Sequence, residues 1–387
     1  MSFSRLIAVC VTFGAFSSVV QAEYDNSMVF NVASEVGYID NFLYQARQEQ
    51  STAYYNLFSK LALTSKTQQS AFDFDAQVTA HFFDNFAQDD HTDFTLAPKY
   101  QFKFAQNQRV YMSALWLNDY TYRGTGLSLG KAESLSEGDK SESTGAKLGY
   151  EYGTRESQGK LNVVVAYHEN AFKTRRAITS QLDTEILSIE SNFDYLLSGK
   201  TFLAVDVGYK ATKYPNNPLI NRDSLTGLVG VKWYSTAISE LEFLVGYQNL
   251  QFEDSRLSDD SAFKWRFDYT WRPSDFTQVH VVSNRKFDES YRLVNSYRLA
   301  QTHQIDLNHA FTDYLSVRAA VGFNNEKFIS PESSQAEDYV FSTLTVGYLY
   351  SDRVSVQLNY HYKSLDADAS DIDFLYNKIG LSVKIEL

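Results

Sequence analysis

The feature that most constrains this chain is a two-residue alternation of apolar and polar side chains that recurs from about residue 29 to the last residue. Successive side chains of an extended backbone point to opposite faces, so this period gives each strand one apolar and one polar face. The clearest stretch sets Phe263, Trp265, Phe267, Tyr269 and Trp271 on one face against Lys264, Arg266, Asp268, Thr270 and Arg272 on the other. Soluble strands average about 5–6 residues, and here segment after segment holds the pattern for roughly twice that length. Leu161, Val163, Val165 and Tyr167, then Leu203, Val205, Val207 and Tyr209, then Leu315, Val317, Ala319, Val321 and Phe323 repeat it.

About 18 such segments can be marked, the first near Val29, the sixth near Ser143, the sixteenth near Tyr339 and the last near Phe374. Short connections, such as those before Val110, Thr201, Phe276, Tyr314 and Arg353, alternate with long polar ones, such as Thr121–Glu142, Asn170–Asp183 and Asn325–Asp338. The chain carries 27 Tyr, 28 Phe and 4 Trp, yet its mean hydropathy is negative. No run beyond the first 22 residues approaches the ~20 apolar residues of a membrane helix. Aromatic-rich, polar on average and alternating throughout is the signature of a transmembrane, antiparallel, up-and-down all-β barrel of 16–18 strands, about 18 by segment count. An even strand number places both termini at the short-turn, periplasmic end.

Residues 1–22 read as a secretory signal: Arg5, an apolar run from Leu6 to about Phe16, and small residues around Val20-Gln21-Ala22. The mature chain is expected to begin at Glu23 and to form a single domain over residues 23–387. Cys10 leaves with the signal, so thiol chemistry leaves with it. The net charge of −12 becomes −13 without Arg5, an acidic balance that argues against nucleic-acid binding.

Two stretches carry a family resemblance. In VGYIDNFLY, Tyr38, Asp40 and Asn41 resemble an early tyrosine-aspartate-asparagine turn; further on, Gly246-Tyr247, Trp271, Pro273, Thr277 and Arg285 fall at matching positions. The chain thereby resembles the outer-membrane β-barrels of exopolysaccharide and capsule operons, the β-barrel porin type 2 family. The resemblance implies a barrel associated with polysaccharide export, none of whose matching residues is catalytic; whether a periplasmic export protein docks at its short-turn face is left open by the residues. It also places Trp271 at the periplasmic interface and Pro273 at a turn. Outer-membrane lipid and lipopolysaccharide around the wall, and the barrel-assembly machinery reading the alternating terminal strand, complete the expected partners.

Strand parity assigns the inner face. Lys264, Arg266 and Arg272, His280 and Lys286, Arg298 and Arg318 form an expected basic wall; Asp73, Asp75, Glu190, Asp194 and Asp206 form an expected acidic wall. Strands three and twelve are opposite in an 18-strand ring, so the two walls would set up a transverse field. The plainer reading is a polar lumen whose charges pair or stay solvated. Phe83 and Tyr111 would stack on sugar rings or simply fill space. A general diffusion porin is the alternative function.

A barrel enzyme is the rival class. Asp89-Asp90-His91 is similar to the acid–imidazole pairs of outer-membrane proteases, but no second carboxylate pair is found opposite it, and a chance run in an extracellular loop is the expectation. His303 lies on a lipid-facing row with no serine expected beside it, as an outer-wall phospholipase would need; His81, His168, His309 and His361 stand apart from any constellation. Asp366, Asp368, Asp371 and Asp373 lack calcium-loop spacing. No cofactor is expected, and no room ahead of the first strand is left for a globular plug.

Overall fold

A computed structural model describes residues 25–387 apart from 155, 237, 294–295 and 331–332. The expected signal, residues 1–22, lies outside the described residues. Eighteen antiparallel strands follow in chain order: β1 (Asp25–Ile39), β2 (Thr52–Lys66), β3 (Ser70–Phe83), β4 (His91–Ala105), β5 (Gln108–Thr121), β6 (Asp139–Tyr152), β7 (Gly159–Phe172), β8 (Thr184–Ser198), β9 (Thr201–Lys213), β10 (Arg222–Thr236), β11 (Ser239–Phe252), β12 (Asp260–Ser274), β13 (Thr277–Asp288), β14 (Tyr297–Ala310), β15 (Leu315–Ile329), β16 (Ser334–Ser351), β17 (Val354–Ala367) and β18 (Phe374–Glu386). Each strand pairs with its chain neighbours, and β1 pairs with β18, so the sheet closes on itself. The fold is an all-β, antiparallel, up-and-down barrel.

Closure fixes parity. Phe263 and Trp271 stand 42% and 41% exposed on the outer wall, while their neighbours Ala262 and Thr270 are buried. Tyr152, Tyr195, Trp233, Trp271 and Tyr348 ring the short-turn end of the outer wall, and Trp116, Tyr167, Tyr209, Tyr247 and Phe263 ring the other end. Between them lie exposed Leu, Val and Ile. Such girdles flank the apolar belt of a membrane barrel. Pro273 sits where the β12–β13 register shifts, between Trp271 and Ser274, so its missing N–H costs no ladder bond.

One hairpin departs from the sequence reading. The connection expected over Asn325–Asp338 is mostly strand: β15 continues to Ile329, β16 begins at Ser334, and Glu326 pairs with Glu337. Here the outward face carries Asn325, Lys327 and Asp338, with Asn325 donating to Asp338 at 2.6 Å. Both faces are polar above the apolar belt, so the alternation fades while the ladder persists.

The closing seam is held from three sides. Gly37 of β1 pairs with Gly380 of β18, and the Tyr54 ring from β2 lies across both. A Cβ on Gly37 would stand 2.2 Å from the Ile379 carbonyl oxygen and 2.5 Å from the Tyr54 ring. Tyr54 donates its hydroxyl to Glu35. At the long-loop end, Asp40 accepts the Asn377 backbone N–H at 2.7 Å, and buried Asn41 donates its amide to the Gln45 and Leu375 carbonyls at 2.8 Å. The tyrosine-aspartate-asparagine turn is thus a latch between the first hairpin and the last strand. Gly37→Ala should cost about 1–3 kcal/mol by overpacking and lower the temperature at which the barrel loses its compact, heat-modifiable gel mobility. Gly227→Ala on β10, where the added Cβ meets nothing within 4 Å, should leave that temperature unchanged; equal behaviour of the two variants would refute the seam argument.

Candidate functional site

By parity with the exposed outer rows, Lys264, Arg266 and Arg272 (β12), His280 and Lys286 (β13), Arg298 (β14) and Arg318 (β15) face the lumen, as do Asp73 and Asp75 (β3), Glu190 and Asp194 (β8) and Asp206 (β9). The two sets do not stand as opposed walls. Arg266 reaches back three strands to Asp206 and also pairs with Glu242. Lys232 bridges Asp194 at 2.9 Å and Glu242 at 3.5 Å, while Lys160 approaches Asp194 at 3.4 Å. Arg272 pairs with Glu240 at 3.4 Å, and His280 lies 3.1 Å from Asp268 and 3.7 Å from Asp306. Arg298 pairs with Glu326 and, at 3.5 Å, with Asp288; Lys286 lies 3.0 Å from Asp288. Far from these, Asp75 holds Lys60 at 2.8 Å and Asp73 accepts the Thr64 hydroxyl at 2.9 Å.

The arrangement from β7 to β14 is therefore one patch of interleaved sign. Partly buried charges of one sign repel at high cost in a low dielectric, and alternating partners relieve it. The expectation of two walls overlooked Lys160, Lys210, Lys232, Glu240 and Glu242, inward residues of the intervening strands. Their parity was legible in the sequence; their cross-strand reach was not. Within the patch a polar recess of about 230 Å³ is lined by Glu190, Asp206, Lys210, Lys264, Arg266 and Lys286 among others. Arg318 and Lys264 have no ion-pair partner among the described residues.

The long-loop mouth is narrowed by connections that fold inward. Glu289, which follows β13, pairs with Lys210 of β9 at 2.8 Å, a contact that can only be made across the lumen. Arg222 of β10 donates to the Ser296 carbonyl at 3.0 Å, and Tyr291 donates to Glu326 at 2.8 Å. Arg292 pairs with the fully buried Glu337. On the other side Phe42 stacks on Phe86 and packs on Phe83, with centroids 4.5 and 4.7 Å apart. Phe83 thus fills space in an aromatic cluster with Ile39, Leu43 and Tyr54. Tyr111 keeps a lumen position and donates to Asn162 at 3.3 Å.

Two expectations are corrected here. Asp89-Asp90-His91 is not an isolated loop run: Asp90 is exposed, but Asp89 and His91 are buried and partnered. Asp89 is fully buried, grips Arg123 through two guanidinium nitrogens (Nε 3.1 Å, Nη2 2.5 Å) and accepts the Tyr120 hydroxyl at 2.7 Å. Asp90 accepts the Phe83 N–H at 2.8 Å. His91 is not alone either, because His81 and Asp93 stand beside it. His303, second, does have a serine: Ser283 Oγ lies 3.0 Å from its Nδ1 on the outer wall, and the Trp265 indole N–H donates to that same oxygen at 2.9 Å. Among the described residues His303 has no carboxylate partner, so the row forms a Trp–Ser–His hydrogen-bond chain without the acid that orients the base of a hydrolytic triad.

Burial alone would raise the Glu289 carboxyl, but the Lys210 ammonium, the Asp288 side chain and the Arg222 guanidinium hold it well below the usual range. A depressed value contributes stability that is complete above the unfolded value of about 4.3 and is lost as pH falls through the folded one. The inward connection should therefore stay docked at neutral and mildly acidic pH and loosen only in strong acid. Glu289→Gln should undock it at neutral pH, seen as several-fold faster tryptic cleavage after Arg292. Unchanged cleavage would show that Glu289 does not hold the connection.

Among curated proteins none matches this chain. Among solved structures it is similar to the siderophore receptor PiuA from Acinetobacter baumannii (9% identity, TM-score 0.49, covering 96% of this chain and 82% of that one). It is also similar to the ferric-catecholate import receptor Fiu from E. coli K12 (10% identity, TM-score 0.48, 93% and 82%) and to the FrpB iron transporter from Neisseria meningitidis (8% identity, TM-score 0.46, 92% and 81%). The family model described as Putative beta-barrel porin 2 matches residues 29–387, which is every strand but the first four residues of β1. With a closed porin-like barrel and that match over nearly its whole length, the chain belongs to the putative beta-barrel porin 2 family.

Proposed function

We propose that this porin-like barrel works in the outer membrane as a conduit for hydroxyl-rich, saccharide-type solutes, and in particular assists the export of exopolysaccharide. The observation that carries the reading is the interleaved patch of β7 to β14. Carboxylates and cations there bound a recess of about 230 Å³ and hold one another's charge. Such a surface presents many oriented donors and acceptors with little net field. That suits polyhydroxyl groups better than small ions, whose passage responds to rings of one sign. An 18-strand ring is wide enough to hold an aqueous lumen. The resemblance to the capsule-operon barrels points the same way. It would set a periplasmic export protein against the short-turn rim and lipopolysaccharide around the outer girdle.

In this reading the barrel guides and does not catalyse. Asp89 is committed to Arg123 and Tyr120, and Ser283–His303 lacks an acid. A general diffusion porin is the second reading, favoured by Lys264 and Arg318, whose charges are free to meet a small anion in the lumen.

Changing Lys264, Arg266, Arg298 and Arg318 together to Gln removes four cations and takes one partner each from Asp206, Glu242, Asp288 and Glu326, of which Glu242 keeps Lys232 and Asp288 keeps Lys286. Barrel assembly should persist, because lumen positions tolerate polar exchange. Reversal potentials in planar bilayers should move toward cation preference, and surface polysaccharide should fall in a strain that depends on the gene. A selectivity change with normal polysaccharide would favour the general porin, and no change in either would remove the lumen path.

A further inference from the structure

At the long-loop end of β3 and β4, three groups able to ligate a metal stand together on the lumen side. His81 and His91 are register partners, and Asp93 is the next inward residue on β4. The His91 side chain is 2% exposed, and its Nε2 has no hydrogen-bond partner; neither has Asp93 Oδ1. Both imidazole Nε2 atoms stand 3.5 Å from Asp93 Oδ2, within ion-pair reach but longer than an ordinary hydrogen bond.

The opposite ring nitrogens explain why. His91 Nδ1 lies 2.7 Å from the Asp89 carbonyl oxygen, and His81 Nδ1 lies 3.0 Å from Asn56 Oδ1. Both partners are acceptors, so each Nδ1 carries a proton, and in the singly protonated ring Nε2 presents a lone pair. Two lone pairs and a carboxylate then stand together in one partly buried group with no donor between them. That is the arrangement in which a metal ion replaces the missing proton, with the second shell fixing each ligating histidine through its other nitrogen.

Geometry agrees. Ligand atoms held about 2.0–2.2 Å from one tetrahedral ion lie about 3.4 Å apart, against the 3.5 Å of both nitrogen–oxygen edges. All three ligand atoms lie within 4.8 Å of one another. His81, 17% exposed and stacked on His91 with rings 18° from parallel, must turn its ring for its in-plane lone pair to meet the same ion, and it has the exposure to do so. His91 does not: it is sandwiched between His81 and Tyr120, with centroids 4.5 and 4.0 Å away. A cavity of about 80 Å³, lined in part by His81, Asn56 and Tyr122, adjoins the group and has room for water.

We propose that His81 Nε2, His91 Nε2 and Asp93 bind a divalent transition-metal ion of the zinc class, with a remaining coordination position open to water or to an oxygen of a passing solute. Two imidazoles and one carboxylate suit zinc and its first-row neighbours and disfavour calcium and magnesium, which take oxygen ligands. The ion would tie the β3–β4 end to the inward-folded connections at the mouth, because the same Asp89 that orients His91 through its carbonyl also grips Arg123.

The test uses the full, tag-free barrel purified in detergent, stripped with chelator and titrated with Zn²⁺ at mildly alkaline pH, where free histidine is neutral. Saturable binding near one ion per chain is expected, with Co²⁺ giving the intense visible bands of low coordination number. Asp93→Asn and His81→Gln keep side-chain shape and should each weaken binding at least tenfold and abolish the cobalt bands. His168→Gln, on the distant β7, should bind as the parent does. A parent without saturable binding, or Asp93→Asn and His81→Gln variants that bind like the parent, overturns the site and leaves two protonated histidines on Asp93 as the account of the cluster. His91→Ala is not used, since its loss would disturb the Tyr120 stack.

Discussion

The pairing of β1 with β18 is the constraint on which the rest of this molecule depends. Within a membrane every backbone N–H and C=O must find a partner in the protein, and a sheet can meet that demand only by having no edge. Once the ring closes, register is shared around it, and a one-residue slip in any strand would turn its whole apolar row inward. The seam is correspondingly over-determined. Gly37 and Gly380 permit a close backbone approach, Tyr54 lies across both, and Asp40 and Asn41 pin the first hairpin to the last strand.

Parity was the most legible property of the sequence, because it is local. Alternation placed all 18 strands near their observed positions and assigned Lys264, Arg266, Arg298, Asp194 and Asp206 to the inner face. It failed where its physical cause ends. At Asn325 and Asp338 the strand rises past the apolar belt, both faces turn polar, and the hydrogen-bond ladder continues without leaving a hydropathy signal.

Contacts across the lumen were illegible for a different reason. Nothing near Glu289 in the chain signals that it will meet Lys210, 79 residues earlier, or that Arg266 will reach Asp206, 60 residues earlier. Those pairs follow from barrel curvature and side-chain length, neither of which a period reveals. The Asp89-Asp90-His91 run shows the same limit. Its acid–imidazole chemistry was visible, but its partners Arg123, Tyr120, His81 and Asp93 lie on other strands or connections, or further along β4. Likewise Ser283 and His303 are 20 residues apart and meet only because β13 and β14 pair in one register.

The two sides of the mouth are closed by different forces, and this divides their behaviour. Around Phe42, Phe83, Phe86 and Tyr122 the connections dock by aromatic stacking and apolar burial, interactions that salt does not screen. From Lys210 to Glu337 the connection after β13 docks through ion pairs, among them Glu289–Lys210 and Arg292–Glu337. Ion pairs that remain partly open to water weaken as ionic strength rises, whereas buried ones are screened far less. Lys210 and Glu289 retain 29% and 26% side-chain exposure, against 14% and 1% for Arg292 and Glu337. The anchor that holds the connection across the lumen is thus the screenable one, while the anchor beside β16 is protected. The ion-paired side of the mouth joins a protected anchor, Arg292–Glu337, to a more open one, Glu289–Lys210, against an aromatic side whose contacts salt does not screen.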